Sequence, residues 1–363
     1  MLTAIGFLLA IQATPVEELR IGVASGEEQY QFFEIRMIDV SPRDEIFVAN
    51  AGTSEIRVYG FDGVYRRSMG SEGDGPGEFR RIQTLRVSDS AVIVQDLNEI
   101  EVFSHVGEHQ TSVPYPRAVR GRLLGIGPNL WIFLTTRLEC IEPGRACPRS
   151  LFVEAVDPFD GSRDVIVGPL SGERLTLIRP EQSDGRMIPG FFGPPVFESA
   201  GHVAAGTNGE FYVADSRSLS VRVYSPAGAL LRQVQREHEP VSVSENLLEA
   251  VRECMRERRI ADSAIEQRLA QHADTLPAIT DLLVNLDGGL WIRRGDVGDA
   301  PVNDACYGGT ATSTWDRFDS SAAYVGSTIL PANFRALRLT TSGVLGVLTD
   351  NRGVEFVVYL IIP

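Results

Sequence analysis

The chain has 363 residues, of which 43% are hydrophobic, and a formal net charge of −14 at pH 7. Such an acidic chain has no general attraction for phosphate backbones, which argues against a nucleic-acid partner. All 34 basic residues are arginine, so Schiff-base and other lysine chemistry is excluded.

The N-terminal segment, residues 1–16, has features of a secretory signal peptide. An apolar stretch runs from Leu2 to Ile11, and Ala13 is a small residue suited to signal-peptidase cleavage. No basic residue precedes Arg20, so either the start is truncated or the segment is a buried N-terminal strand. The stretch is too short to span a bilayer, and no later segment is a transmembrane candidate. We therefore expect an extracytoplasmic protein, periplasmic or secreted.

A repeated pattern of strands follows. Segment 45–67, EIFVANAGTSEIRVYGFDGVYRR, aligns without a gap with segment 210–232, EFYVADSRSLSVRVYSPAGALLR. Both predict a strand ending in Asn or Asp, an alternating strand, a glycine turn and a third strand. Weaker copies occupy 91–108, 129–161, 289–326 and 343–361, and an apolar strand precedes each of the six copies. Six four-stranded units predict an all-β, six-bladed β-propeller over residues 17–363.

The glycine-rich segment GSEGDGPGEF, residues 70–79, lies between the first two copies. A phosphate-binding loop is one interpretation, but no helix is predicted after it and its spacing fits neither nucleotide motif. A crossover from one blade to the next is the favoured interpretation. Its glycines and Pro76 would let the chain cross the sheet edge, and Phe79 would pack between the two blades.

The last copy has only three strands of its own before the chain ends. We expect residues 17–23 to supply its fourth, outer strand, which would close the ring and remove a sheet edge.

The insertion 243–274, between blades 4 and 5, breaks the strand pattern and predicts two helices. Ser244 is the expected N-cap of the first helix, and Ser263 with Glu266 is expected to form a capping box for the second. In the first helix one apolar face is expected to lie on the propeller body. That face comprises Leu247, Val251 and Cys254.

The four cysteines predict two disulfides in an exported protein. Cys140 and Cys147 flank a turn at Pro143-Gly144, which favours a local bridge. Cys254 in the helical insertion and Cys306 in a later loop are both expected on the same face of adjacent blades, which favours a second bridge. A buried, small apolar role for Cys254 is the alternative.

The segment 45–79 resembles an NHL-type repeat, and residues 17–363 resemble the bacterial extracytoplasmic six-bladed β-propeller family. The closing VLGVLTDNRGVEFVVYLI is similar to the usual end of that family. The resemblance implies the propeller fold and no particular reaction. Two segments depart from the family pattern, the cysteine-bearing insertion 137–150 and the helical insertion 243–274.

One polar residue ends the second strand, strand B, of four predicted blades. The four are Asn50, Asp96, Asp215 and Asp350. The loops between strands B and C lie on one face of a propeller, so these residues are expected to ring the channel mouth there. They could bind a ligand or a hard cation such as Ca²⁺. The alternative is that each side chain caps its own turn.

The sequence therefore predicts a non-enzymatic protein that binds a protein, small-molecule or carbohydrate ligand at this B–C face. No cofactor is expected. The alternative is a metal-dependent propeller hydrolase or lyase using Ca²⁺ or Zn²⁺. His105 and His109 are four residues apart but lie in a predicted hairpin, which does not bring such residues together. His202, His238 and His272 are scattered, and a shared zinc site there rests on fold analogy alone.

Overall fold

The computed structural model describes residues 12–97, 99–114, 121–126, 131–138, 149–157, 160, 162–171, 176–178, 181–183, 186–188, 191–193, 196–206, 209–295 and 314–363. Within these ranges the chain forms six four-stranded antiparallel sheets arranged in a ring, two helices and two short hairpin ladders. The structure is a six-bladed β-propeller, as the sequence predicts.

The strands are numbered in chain order. Two N-terminal strands come first, β1 (Gln12–Ala13) and β2 (Val16–Ile21). Blade 1 comprises β3 (Ile35–Val40), β4 (Glu45–Asn50), β5 (Glu55–Gly60) and β6 (Tyr65–Met69). Blade 2 comprises β7 (Thr84–Val87), β8 (Val92–Gln95), β9 (Glu99–Phe103) and β10 (His109–Pro114). Blade 3 comprises β11 (Gly121–Ile126), β12 (Trp131–Leu138), β13 (Arg149–Val156) and β14 (Arg163–Ser171).

Two short ladders follow blade 3, in which β15 (Thr176–Ile178) pairs with β18 (Phe191–Gly193) and β16 (Glu181–Ser183) pairs with β17 (Arg186–Ile188). Blade 4 comprises β19 (Gly201–Ala205), β20 (Phe211–Asp215), β21 (Ser220–Tyr224) and β22 (Leu230–Gln235). The helices α1 (Glu245–Glu257) and α2 (Asp262–Leu269) come next. Blade 5 comprises β23 (Ile279–Val284), β24 (Leu290–Arg294), β25 (Thr314–Phe318) and β26 (Tyr324–Ile329). Blade 6 comprises β27 (Phe334–Leu339), β28 (Gly343–Thr349), β29 (Glu355–Ile361) and the N-terminal β2.

The position of a strand within its blade explains its sequence. In blade 1, β4 and β5 are buried on both faces, because the neighbouring blades cover them, and they read as nearly continuous apolar runs. The outer strand β6 alternates between exposed and covered residues, because one of its faces meets solvent. The first strands of successive blades contact one another in a closed cycle, from β3 through β7, β11, β19, β23 and β27 back to β3. These six inner strands form the wall of the central channel.

The N-terminal strand β2 pairs antiparallel with β29 as the outer strand of blade 6, with Val16 opposite Ile361 and Ile21 opposite Val357. The predicted ring closure is therefore confirmed, with the strand beginning at Val16. Ile21 is 2% exposed and packs in the core cluster that joins blades 6 and 1. β1 pairs in parallel with β26, so the same segment also contacts blade 5. The division between signal peptide and mature domain at residue 16 stays a prediction.

The crossover 70–79 has the predicted role. Phe79 is completely buried in a cluster that contains Phe47 of blade 1 and Phe103 of blade 2. Gly70 has a left-handed φ of 77°, and a side chain at this position would collide with the Phe79 ring. Strand β7 of blade 2 follows the loop, so the chain does not enter a helix there.

The helices differ in detail from the prediction. Ser244 is the N-cap of α1, and its hydroxyl accepts a hydrogen bond from the Leu247 amide at 3.3 Å. Ala261 is the N-cap of α2 and makes no side-chain cap, so the capping box predicted at Ser263 and Glu266 is wrong. The Glu266 carboxylate instead accepts from Arg252 Nε at 2.8 Å, which ties the two helices together.

The buried face of α1 is centred one residue later than predicted. It comprises Leu248, Val251 and Met255. These residues pack against α2 and the segment 196–197, so the helices bury most of their apolar surface in a small core of their own. Leu247 and Cys254 are only half-buried.

Cys254 is disulfide-bonded. Its predicted partner Cys306 lies outside the described residues, as do Cys140 and Cys147, so both pairings stay predictions.

Replacing Ile21 by alanine tests ring closure. We expect Ile21→Ala to lower the free energy of unfolding by roughly 2–4 kcal/mol, because the cavity lies in the cluster that joins blades 6 and 1. The matched control is Val16→Ala in the same strand, where the side chain is 56% exposed. The control should cost less than about 0.5 kcal/mol. Urea denaturation measures both. Equally small changes in unfolding free energy for the two variants would show that the packing of β2 contributes little to stability.

Peptide mapping of the unreduced protein tests the disulfides. We expect a cross-linked peptide that joins Cys254 to Cys306, because both are predicted on the B–C face of neighbouring blades. The loop that this bridge closes is long, and chain entropy gives it about 4 kcal/mol. Cys254→Ser should therefore lower the melting temperature in oxidising buffer but not in the presence of a reductant. A peptide linking Cys254 to Cys140 or Cys147 would contradict the pairing.

Candidate functional site

The wall of the central channel carries one charged or titratable side chain from each of the six inner strands. We call these residues the channel belt: Asp39, Arg86, Arg122, His202, Asp281 and Arg338. Members of the belt contact neighbouring blades: Asp39 lies 3.0 Å from Arg338, and Arg86 and Arg122 each donate to a carbonyl of the next blade. Arg86 interacts with Asp39, Arg122 and Arg338, and Asp281 interacts with both Arg122 and His202.

The Asp39 carboxylate joins three blades. Its Oδ1 accepts a hydrogen bond from the Val40 amide at 2.9 Å and lies 3.0 Å from Arg338 Nε of blade 6. Its Oδ2 accepts from the Val87 amide of blade 2 at 2.9 Å. Asp39 is 3% exposed, so a buried charge is compensated here by one cation and two amides. This carboxylate has a structural role that leaves it little capacity for a ligand.

Arg86 is anchored by backbone carbonyl groups. Its Nε donates to the Leu124 carbonyl of blade 3 at 2.8 Å, and its Nη1 donates to the Leu85 carbonyl at 3.0 Å. Burial lowers the pKa of Arg86 to about 10, with Asp39 opposing that shift and Arg122 and Arg338 adding to it. Solvent still reaches part of the side chain, as expected of a residue that lines a narrow channel deep in the protein.

Arg122 reaches from blade 3 to blade 4 in the same way. Its Nη2 donates to the Val203 carbonyl at 3.4 Å. Burial lowers the pKa of Arg122, and Asp281 opposes the shift. Neither Arg86 nor Arg122 forms an ion pair with any residue that the structure describes.

His202 follows in blade 4. Burial lowers its pKa from the ordinary value of 6.5, and Arg122 acts in the same direction. Asp281 and the backbone of Ile279 oppose the shift. The imidazole is therefore neutral at neutral pH and can act as both donor and acceptor of hydrogen bonds.

The belt residues lie at different depths along the channel. Arg122 and His202 are the second residues of their strands, and Asp281 is the third residue of β23. Inner strands begin on the face that carries the B–C loops, so these three lie in the half of the channel nearer that face. Asp39 and Arg338 are both fifth in six-residue strands and lie nearer the opposite face.

The four predicted rim residues occupy the expected place at the ends of second strands, and their polar atoms bind nearby backbone. Asn50 Oδ1 accepts from the Phe33 amide at 2.8 Å. Asp96 accepts from the Arg81 amide at 2.6 Å and the Arg80 amide at 3.2 Å. These bonds fasten the preceding crossover to the blade, a role that the sequence analysis did not consider.

Asp215 and Asp350 cap their own turns. Asp215 Oδ1 accepts from the Arg217 amide at 3.1 Å, and Asp350 Oδ1 accepts from the Arg352 and Val354 amides at 2.9 Å each. These amides lower the pKa of Asp350, with the Val354 amide as the largest cause. Such contacts match the turn-capping alternative, and a ligand-binding role for the four residues stays a prediction.

The histidines are dispersed among different partners. His105 Nε2 lies 2.9 Å from the Ser88 carbonyl, whereas His109 Nε2 lies 2.8 Å from Glu101 Oε2 and 3.1 Å from Ser112 Oγ. His272 Nδ1 contacts the Leu269 carbonyl at 2.7 Å. Across the described ranges, no group of three or more His, Cys, Asp or Glu residues is placed to hold a metal ion.

The channel belt is not among the site residues predicted from sequence, although its signal is present there. Each inner strand was predicted, and each carries a charged residue or histidine within an apolar run, as in IRMIDV, GRLLGI and ITDLLV. In the innermost strand of a propeller such a residue lies at the border between a neighbouring blade and the channel.

No protein-family model and no curated protein matches the chain in sequence. Solved structures match in shape. A member of the DUF4221 family from Bacteroides vulgatus superposes with a TM-score of 0.57 at 9% identity, covering 97% of this chain and 98% of that one. A candidate exported protein from Bacteroides fragilis superposes with a TM-score of 0.50 at 9% identity, with the same coverage. At such identities the likeness shows the six-bladed propeller fold alone, and it does not test the NHL-type resemblance.

One enzyme also appears among the structural neighbours. Virginiamycin B lyase from Staphylococcus aureus has a TM-score of 0.43 at 9% identity, covering 95% of this chain and 99% of that one. This fit is too loose to support an argument.

No helix within the described ranges is long and apolar enough to cross a membrane.

The depressed pKa of His202 predicts a loss of stability in acid. The unfolded chain takes up a proton on this histidine near pH 6.5, whereas the folded chain takes it up only at lower pH. Stability is therefore retained above pH 6.5 and falls as the pH drops through the folded pKa. Thermal melts between pH 8 and 5 should show this fall, and His202→Gln should reduce it. His272→Gln is the control outside the channel and should leave the pH profile unchanged. Identical profiles for all three proteins would contradict the assignment.

Proposed function

We propose that the protein is a non-enzymatic binding protein of the cell envelope or exterior, which takes up a small molecule or carbohydrate in its channel through the B–C face. The observation that carries this proposal is the channel belt. Its members converge from different blades, and five of the six retain contact with solvent. Polar groups that converge in a solvent-accessible concave site are the usual architecture of a ligand pocket.

The depths of the belt residues support entry from the B–C face. Arg122, His202 and Asp281 lie in the half of the channel nearer that face, so a ligand from this side meets a cation, a neutral imidazole and a carboxylate. The carboxylate of Asp39, deeper in the channel, is already held by Arg338 and two amides. The entrance of the channel therefore has polar groups that can contact a ligand, whereas the carboxylate in its interior is already bound by groups of the protein. This difference favours binding without a reaction.

An extracytoplasmic location is part of the proposal. It is supported by the signal-peptide features of residues 1–16 and by the structural similarity to a candidate exported protein.

A screen of neutral and charged small molecules by thermal shift and native mass spectrometry tests the function. We expect at least one saturable ligand at unit stoichiometry. Asp281→Asn, which removes a channel charge at nearly constant volume, should change its affinity several-fold. The matched control is Asp287→Asn in the same blade, where the carboxylate caps the hairpin between β23 and β24 on the opposite face. This control should bind like the parent protein.

Elemental analysis of the purified protein separates this function from the metal-dependent alternative. A stoichiometric bound metal, together with turnover of a hydrolase or lyase substrate that is lost on chelation, would replace the binding function with the enzymatic one. Absence of any saturable ligand in the screen would also count against the binding function.

A further inference from the structure

Arg86 and Arg122 differ in their partners from three other arginines that the protein covers wholly or in part. Arg57 pairs with Glu55 at 2.6 Å, Arg67 pairs with Glu45 at 2.7 Å, and Arg338 pairs with Asp39 at 3.0 Å. Within the described ranges, Arg86 and Arg122 contact only backbone carbonyl groups. Arg86 is half-buried, and a guanidinium partly removed from water without a paired carboxylate needs an explanation, whereas Arg122 is exposed.

The anchoring bonds leave part of each guanidinium group unused. Arg86 uses Nε and Nη1, which leaves Nη2, and Arg122 uses Nη2, which leaves Nε and Nη1. Arg86 is half-buried and Arg122 is exposed, so solvent reaches both side chains. Backbone carbonyls thus fix the orientation of both side chains while free N–H groups face the channel. A planar fork of N–H donors matches the oxygens of a carboxylate or phosphate.

The local charge favours an anion. The belt holds three guanidinium groups, of Arg86, Arg122 and Arg338, against the two carboxylates of Asp39 and Asp281, and His202 is neutral at neutral pH. Arg86 and Arg122 lie on inner strands that contact each other, β7 and β11, and so place two positive charges side by side. The channel wall is therefore positive at this point, within a chain whose formal net charge is −14.

We propose that Arg86 and Arg122 together bind the oxyanion group, a carboxylate or a phosphate, of the small ligand that enters the channel. The ligand supplies an oxyanion in direct contact with these two arginines, which interact with Asp39 and Asp281 only from beyond ion-pair distance. His202 and Asp281, next along the wall, contact the uncharged hydroxyl-bearing part of the same ligand. This inference rests on the proposed binding function and adds the chemical class of the ligand.

Matched sugars test the assignment. Glucuronate and glucose 6-phosphate carry the two oxyanions on the same ring, and glucose is their neutral counterpart; inorganic phosphate is the fourth probe. We expect at least one of the acids to raise the melting temperature and bind saturably in calorimetry, with glucose far weaker. Added sodium chloride should weaken that binding. Preference for the phosphate or the carboxylate sugar identifies which oxyanion fits.

Three channel variants and a surface control complete the test. Arg86→Gln and Arg122→Gln should each weaken binding of the acid by roughly tenfold or more. Arg122→Lys should retain part of the affinity, because it keeps the charge but loses the fork. Arg66→Gln, at an exposed ion pair on blade 1, should have no effect. Without ligand, Arg122→Gln should melt close to the parent temperature, because loss of the 3.4 Å bond to the Val203 carbonyl is offset by removal of an unpaired charge. A large fall in melting temperature would assign Arg122 a mainly structural role instead.

The outcomes separate the two proposals. If glucose binds as tightly as the acids, or if Arg122→Gln keeps full affinity for them, the oxyanion assignment is wrong while the binding function stands. If neither the acids nor inorganic phosphate binds, the assignment is also wrong. The binding function itself fails only when the broader screen finds no saturable ligand.

Discussion

Closure of the ring between blade 6 and blade 1 is the constraint on which the rest of the structure depends. Three contacts concentrate on this junction besides the pairing of β2 with β29. The Ile35 amide donates to Glu355 Oε2 at 2.7 Å, and the Ile35 carbonyl accepts from Arg335 Nη2 at 2.5 Å. The third contact is the ion pair between Arg338 and Asp39, which lies further along the channel wall. Only when this junction is closed do the six inner strands surround a channel of fixed width, so the relative positions of the belt residues depend on it.

The same side chains that line the channel also join the blades. Asp39 accepts from the Val87 amide of the next blade, Arg86 donates to the Leu124 carbonyl of the next, and Arg122 donates to the Val203 carbonyl of the next. Each bond crosses a junction between neighbouring blades, and at the junction of blades 2 and 3 Gln95 Nε2 also donates to the Gly121 carbonyl at 2.9 Å. A polar group that bridges two rigid blades loses little further entropy when a ligand arrives, because its rotamer is already fixed. The binding surface is thus preorganised by the contacts that stabilise the fold.

Much of the fold follows from local sequence. The strands of all six blades, the outer position of β2 and the burial of Phe79 depend on alternation, turn residues and repeat spacing, which are visible in a short window. Local sequence does not determine which face of α1 is buried, because Leu247 and Leu248 are equally apolar. Only the core around Val196 and Phe197 selects Leu248. The ladders after blade 3 were missed, although Asp184-Gly185 between β16 and β17 is a hairpin-type dipeptide.

The site was harder to predict than the fold. The sequence analysis placed polar residues at the B–C loops, where Asn50 and Asp96 prove to fasten crossovers and Asp215 and Asp350 to cap turns. The channel belt depends on which inner-strand residues face one another across the ring. Which residues face one another is determined by the position of each residue along its strand and by closure of the ring of blades. Neither can be predicted from a single repeat.

The pairing of Val16 with Ile361 also governs how this protein is made. Along the chain β2 precedes and β29 follows every other strand of the six blades, so blade 6 is the last blade that can be completed during synthesis. Contacts between residues so far apart in sequence form slowly, because the chain must lose the conformational entropy of a very long loop before the contacts are made. Blades 1 to 5 can assemble earlier, but the apolar faces of blades 1 and 5 that pack on blade 6 stay uncovered, and β29 has an unpaired edge, until β2 and β29 meet. The chain is therefore most exposed to misassociation between the emergence of β2 and its pairing with β29.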